Sequence, residues 1–249
     1  MIKNGFNTMF NLKLKENRNR LKFDIEVGEF QSNINKNKKL IPSISAVYRV
    51  KNAESCLELS ILSIASICSE IIIIDNNSSD KTLVIAKKIQ QNLSSVCEVK
   101  IYAYKNNLSI AGDDYKIGLT TESSLANYYT YCFSKATCDY VMKCDAHLIY
   151  TPQSLVKIQK KLKEKRRVII FRGVELYGMK LSYERYIFKN DNSFKYIDGD
   201  CYEELVFDYK LSKIEQIRST ILTPCFIHVK RSCYINYIGS DCLVNKLYS

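Results

Sequence analysis

Residues 70–75 read Glu-Ile-Ile-Ile-Ile-Asp, four consecutive β-branched residues between two carboxylates. A half-exposed strand alternates apolar and polar residues, whereas a continuous apolar run suits a strand covered on both faces. That environment is a parallel sheet with helices on either side. The flanking sequence keeps the same rhythm. Strands are predicted at 43–48, 71–74, 99–104, 140–144 and 168–171, with helices at 55–67, 81–91, 123–136 and 152–165 between them. Asp80 stands where it can cap the second helix, and Pro152 opens the fourth. A polar loop at 105–122 is long enough to suggest a functional role. The expected fold is α/β, a mostly parallel central sheet flanked by helices over 41–173. An irregular extension at 1–40 precedes it, and a mixed, aromatic-rich region follows Gly173.

The chain of 249 residues is 46% hydrophobic and 25% charged, a balance that excludes wholly disordered and collagen-like classes. Its 37 Lys and Arg outnumber 26 Asp and Glu, for a formal charge of +11 that attracts polyanions without choosing among them. The one dense basic run, KIQKKLKEKRR at 157–167, reads either as a solvated helix face or as a docking patch for an anionic membrane surface. Ten cysteines include no C-x-x-C pair, so zinc-ribbon and thioredoxin readings lose their signature. Cys56, Cys68, Cys132 and Cys144 sit among apolar residues and read as reduced core thiols. Residues 1–21 lack an apolar signal core, and no apolar stretch approaches the roughly 18 residues of a membrane span. The expected compartment is the reducing cytoplasm.

The usual signatures of α/β enzymes are missing. There is no G-x-G for a dinucleotide, no G-x-x-x-x-G-K-[ST] for a P-loop and no G-x-S-x-G nucleophile elbow. No base-reading motif points to nucleic acid. Two acidic segments end predicted strands instead, IIIIDNNSSDKT and DYVMKCDAHLIY. Ligands of open α/β sheets bind at such strand ends.

Three segments in order, AVYRVKNAESCLELSILSI, EIIIIDNNSSDKT and LANYYTYCFSKATCDYVMKCDAHLI, resemble the GT-A glycosyltransferases, most closely the family 2 branch. The resemblance implies a GT-A, Rossmann-like sheet. Residues 41–150 would form its nucleotide-sugar-binding half and 151–249 its acceptor half. The first segment would supply the nucleotide-binding strand and loop, with Tyr48, Arg49, Asn52 and Glu54. Arg49 would meet a phosphate or fix Glu54 by a salt bridge. Asp75 would contact the nucleotide base, or serve only as a turn residue. Asn107, Gly112 and Asp113 fall in the loop that borders the donor sugar in that family. The third segment matches the Asp-x-Asp block that holds a divalent metal on the donor diphosphate, with Lys143 just before it. The implied partners are a nucleotide-sugar, most simply a UDP-sugar, and a glycan or glycolipid acceptor such as lipopolysaccharide or capsule. Inversion at the sugar and peripheral contact with the inner membrane face are also implied.

The family triplet is altered here to Asp145-Ala146-His147. A related GT-A group uses Asp-x-His with a second, distant histidine, and this chain has 2 His, the other being His228. The resemblance thus places Asp145, His147 and His228 on one Mn²⁺ or Mg²⁺. Imidazole is better tolerated by Mn²⁺ than by Mg²⁺. The alternative is a surface His147 and a core His228, in a non-catalytic nucleotide- or glycan-binding relative with a degenerate triplet. An inverting transferase also needs a carboxylate base. Asp200 and Glu203 have the spacing of a capping box, which predicts a helix start there. Glu204 is left without a structural duty, where the family's acidic pair would fall, and is the first candidate. Glu203 and Glu184 follow.

Overall fold

The computed structural model describes residues 38–176 and 178–230. The expected N-terminal extension lies outside the described residues except for a 3-10 turn at Lys38–Leu40. The elements run β1 (Ile44–Val50), α1 (Leu57–Ile64), β2 (Glu70–Asp75), α2 (Thr82–Asn92), β3 (Glu98–Ala103), α3 (Leu125–Phe133) and β4 (Tyr140–Cys144). They continue with β5 (Leu148–Tyr150), α4 (Pro152–Lys163), β6 (Val168–Phe171), β7 (Val174–Glu175), β8 (Glu184–Lys189), β9 (Phe194–Asp198), β10 (Glu203–Phe207), α5 (Lys213–Ser219) and β11 (Phe226–His228).

The architecture is the expected α/β one. Six strands form the central sheet in the order β3-β2-β1-β4-β8-β6. Neighbours β3, β2, β1 and β4 are parallel, and only β8 runs against its neighbours β4 and β6. Strands from both predicted halves of the chain share this sheet. Ile71, Ile72, Ile73 and Ile74 are all fully buried, as the run of isoleucines demands. They alternate between two cores. Ile71 and Ile73 join Tyr48, Leu57, Ile61 and Met142 on one face. Ile72 and Ile74 join Val47, Val141 and the inner side of α3 on the other.

Glu70 opens β2 as a buried carboxylate. Its Oε2 accepts from the Ser45 hydroxyl and from the Thr137 N–H at 3.1 Å. Its Oε1 accepts from the Thr137 hydroxyl at 3.1 Å and from Lys100 Nζ at 2.5 Å. One side chain therefore ties β1, β2, β3 and the approach to β4 together at the amino end of the sheet.

Helix starts follow side-chain chemistry. The Asp80 carboxylate accepts from the Thr82 N–H at 2.9 Å, Ser124 accepts from Asn127 N–H at 3.0 Å, and Thr151 accepts from Ser154 N–H at 3.3 Å. The helix start predicted at Asp200 is not formed. Residues 194–207 make an antiparallel hairpin in which Glu203 faces Asp198 and Glu204 faces Ile197. Alternation along β9 and β10, with a turn closed by Gly199 N–H to Tyr202 O at 2.8 Å, overrides the capping-box spacing. A capping box forms instead at Ser212 and Glu215. The described cysteines are all free thiols, with Cys68, Cys132 and Cys144 buried and Cys56 partly so. Among the described residues, no helix is long and apolar enough to cross a membrane.

Candidate functional site

The carboxyl ends of β1, β2 and β4 converge, and each carries a charged residue there. Arg49 and Asp145 lie on one face by strand alternation, since Val47, Val141 and Arg49's neighbour Tyr129 share that side. The Arg49 side chain is 4% exposed and pairs through Nη2 with Asp145 Oδ1. The same nitrogen donates to the Cys144 carbonyl at 3.2 Å. The guanidinium stacks 4.1 Å from the Tyr129 ring centroid. Its Nε and Nη1 are buried without a partner among the described residues. A buried cation with two unused donors suits an anionic ligand such as a phosphate. Burial raises the Asp145 carboxyl, but Arg49, His147, Lys143 and His228 more than offset that and hold it below the ordinary carboxylate value.

Asp75 ends β2 and is 3% exposed. Its Oδ2 accepts from the Ser78 N–H at 3.2 Å, the turn role the sequence allowed. Its Oδ1 is buried and has no partner among the described residues. The turn therefore uses only half of this carboxylate.

The two histidines, far apart in sequence, meet through a small sheet. β11 pairs with β5, placing His228 opposite Leu148, and the Val229 N–H donates to the His147 carbonyl at 2.8 Å. The rings pack edge to face with centroids 4.6 Å apart. β11 also pairs with β7, placing His228 opposite Glu175. Nδ1 of His228 lies 2.8 Å from Glu175 Oε1. A proton on Nδ1 shared with Glu175 would leave Nε2 as the acceptor, the arrangement that carboxylates impose on ligating imidazoles. Burial pushes the His147 pKa down to about 4 against the pull of Asp145, so this imidazole is neutral at physiological pH. The neutral His147 imidazole and the His228 ring beside a carboxylate are a donor set suited to Mn²⁺. Among the described residues no group of three or more His, Cys, Asp or Glu stands already arranged around an ion. Asp145 is turned to Arg49 and His228 to Glu175.

Two cavities hold the remaining candidates, and Asp145 lines the first. One, of about 320 Å³, is lined by Arg49, Asn52, Asp145, His147 and Lys230 among others. The second, of about 680 Å³, is lined by Lys143, Glu184, Glu203, Glu204, Tyr183 and Gln216 among others. All three candidate bases thus share one cavity. Glu184 is held by Lys143 at 2.6 Å. Glu203 is half-buried on the β10 face that carries Leu205 and Phe207, near Tyr129, whose phenol is pushed up by burial and by this carboxylate. Glu204 is exposed, and its carboxylate lies over Gly199, where an added Cβ would sit 2.6 Å from Oε1. Among the described residues, no hydrogen bond or ion pair holds it.

Other candidates take structural roles. Tyr48 is fully buried in the core opposite the Arg49 face, its hydroxyl 3.2 Å from Ser60 Oγ, so it does not face a ligand. This corrects the expectation for Tyr48, and strand alternation is the reason. Arg49 pairs with Asp145 and not with Glu54. Glu54 instead accepts from Lys81 N–H at 2.9 Å, and Asn52 Oδ1 accepts from Ser79 N–H at 2.8 Å. Both lace the loop after β1 to the turn after β2. Asn107 and Asp113 are exposed. Gly112, at φ +150°, donates its N–H to Cys201 O at 2.8 Å and ties the long loop to the hairpin. Sequence reasoning missed Glu175, because only the pairing of β7 with β11 reveals it.

No family model matches the chain, and no curated protein matches it. Solved structures do show similarity. A structure of residues 1–349 of TarS from S. aureus is 12% identical with a TM-score of 0.49, covering 80% of this chain and 66% of that one. A second TarS structure gives the same identity and score and is covered over 40% of its length. Glucosyl-3-phosphoglycerate synthase from Mycobacterium tuberculosis, in complex with Mn²⁺, UDP and glucosyl-3-phosphoglycerate, is 18% identical with a TM-score of 0.37, covering 60% of this chain and 48% of that one. The chain thus spans less than two thirds of the length of each.

Proposed function

We propose that this chain is a metal-dependent glycosyltransferase of GT-A type that uses a nucleotide-sugar, most simply a UDP-sugar. The observation that carries the reading is the convergence of the 2 histidines of the chain at ring-contact distance, on the triplet that begins with Asp145. Asp145, His147 and His228 would hold the cation, with Glu175 fixing the His228 tautomer. When bound, the metal supplies Lewis-acid neutralisation of the diphosphate leaving group. Arg49 offers Nε and Nη1 to a phosphate oxygen. Asp75 offers Oδ1 to an N–H of the base.

The cavity of Glu184, Glu203 and Glu204 would receive the acceptor. Glu184 is neutralised by Lys143 and Glu203 is turned towards Tyr129. Glu204 is the exposed carboxylate able to reach an acceptor hydroxyl, and it takes the base role in an inverting displacement. A glycan or glycolipid of the bacterial surface is the acceptor class this reading favours, with cytoplasmic synthesis.

The reading is tested by a thermal-shift screen of sugar nucleotides with and without Mn²⁺. A ligand at about 100 times its dissociation constant adds roughly 2.7 kcal/mol of stability. The expected result is stabilisation by one donor class that requires the cation. Stabilisation by no sugar nucleotide, with or without Mn²⁺, would remove the reading. Metal-dependent binding without transfer or hydrolysis would favour the non-catalytic alternative.

A further inference from the structure

The segment from α5 to residue 222 exposes more apolar side chain than its place beside a well-packed sheet requires. Ile214 is 64% exposed, Ile217 73% and Leu222 73%. Ile214 and Ile217 are three residues apart and share one helix face. The segment is not loose: Ile221 is 5% exposed, and its N–H donates to Ile170 O at 2.8 Å. The backbone is anchored to β6 while the large aliphatic side chains point outward.

Cations surround these residues. From α4, Lys161 donates to the Arg218 carbonyl, and Lys157 Nζ donates to Thr223 Oγ1 at 2.8 Å. Arg166 and Arg167 act on the Glu215 carboxylate from the turn that follows. Lys213 and Arg218 belong to α5 itself. The two local carboxylates are already engaged. Glu215 closes the capping box with Ser212, and Glu164 is paired with Arg166 at 3.0 Å. Outward aliphatic tips beside six cations and two carboxylates, a local excess of four positive charges (six less two), match the two-part chemistry of an anionic bilayer, an apolar interior beneath phosphate headgroups. A nucleic acid would use the cations and leave the isoleucines in water.

We infer that α5 and the segment up to Leu222, backed by the basic side of α4, dock this protein on an anionic lipid surface. The position has a consequence for the acceptor, which rests on the proposed function. Gln216 of α5 lines the cavity of Glu184, Glu203 and Glu204, and the Tyr183 hydroxyl of that cavity donates to the Leu222 carbonyl at 2.9 Å. Docking brings the rim of that cavity to the lipid surface, where a lipid-anchored acceptor reaches it without leaving the bilayer.

Co-sedimentation of the full chain with vesicles tests the docking without any turnover. Phosphatidylcholine vesicles, alone and with phosphatidylglycerol, are compared across ionic strength. The wild type should bind the phosphatidylglycerol vesicles and not the neutral ones. Ile214→Ser with Ile217→Ser should weaken binding roughly tenfold or more, also at high salt where charge is screened. Lys213→Gln with Arg218→Gln should weaken it at low salt by roughly fivefold per cation, and the deficit should shrink as salt rises. All four side chains are exposed, so unchanged melting should confirm that both double variants fold. Equal binding to neutral and anionic vesicles would overturn the inference. So would an Ile214→Ser, Ile217→Ser variant that binds as well as wild type, or a wild type that prefers duplex DNA to anionic vesicles.

Discussion

Glu70→Gln should destabilise the protein by about 3 kcal/mol while leaving nucleotide binding intact. Both carboxylate oxygens are in use. Oε2 faces the Ser45 hydroxyl and the Thr137 N–H, and Oε1 faces the Thr137 hydroxyl and Lys100 Nζ. Glutamine keeps the shape, but its NH₂ must replace one of the two oxygens. In either orientation it points a donor at an obligate donor, the Thr137 N–H or the Lys100 ammonium. Losing one charge-assisted bond costs roughly 1.5–3 kcal/mol, and breaking a fully buried ion pair roughly 3–5. Lys100 is 26% exposed, so solvent screens part of the pair and the lower part of that range applies. For a chain of this size, about 3 kcal/mol lowers Tm by roughly 6–12 °C. Glu70 and Asp75 stand at opposite ends of β2, about 16 Å apart at the usual strand rise. UDP affinity by calorimetry should therefore be unchanged. Hydrogen bonds and Lys100 lower the Glu70 pKa despite its burial. Because the folded-state value lies below the unfolded one, the stabilisation is complete above the ordinary glutamate pKa and is lost as pH falls through the folded-state pKa. Glu70→Gln should flatten that acid limb of the stability curve. A loss under about 1 kcal/mol in urea melts, with an unchanged acid limb, would refute the reasoning.

At the other end of the same strand, Asp75→Asn should keep the turn and weaken UDP binding, measured by calorimetry. Full UDP affinity in the folded variant would leave Asp75 as a turn residue. Glu204→Gln should lower turnover by roughly 10²–10⁴ with donor binding retained, the usual scale of general-base catalysis. If turnover survives there and collapses in Glu203→Gln, the proton goes to the carboxylate facing Tyr129. Tyr48→Phe should cost roughly 1 kcal/mol, the net worth of its hydroxyl contact with Ser60, and leave donor affinity unchanged. A weakened donor would show that Tyr48 reaches the ligand.

The sheet was legible because burial on two faces leaves an unmistakable trace, four isoleucines with no polar residue to turn outward. The positions of Asp75 and Asp145 at the carboxyl ends of β2 and β4 were legible for a related reason, since a charged residue closing a buried apolar run marks a strand end. Tyr48 was misread because proximity in sequence hides strand alternation: its neighbour Arg49 faces the site and Tyr48 faces the core. Glu203 misled in another way. Capping-box spacing is a local signal, and cross-strand pairing of β9 with β10 outweighs it. Glu175 could not have been found from sequence. It reaches His228 only because two short strands, β7 and β11, pair across residues 176–225, and short non-local pairings leave no periodic pattern. The partner of Arg49 depended on tertiary geometry in the same way.

The central claim is that His147 and His228 act together, with Asp145, on one divalent cation at the donor site. Titration of Mn²⁺ into the UDP-bound protein, followed by loss of the free-ion EPR signal, tests it directly. Wild type should bind one Mn²⁺ and require UDP for full affinity. His147→Ala and His228→Ala should each weaken that binding severely. The double variant should be little worse than either single one, because ligands of one ion fail as a unit. Retained Mn²⁺ affinity in folded His228→Ala would contradict the account, since the contact between the two rings would then be packing and nothing more.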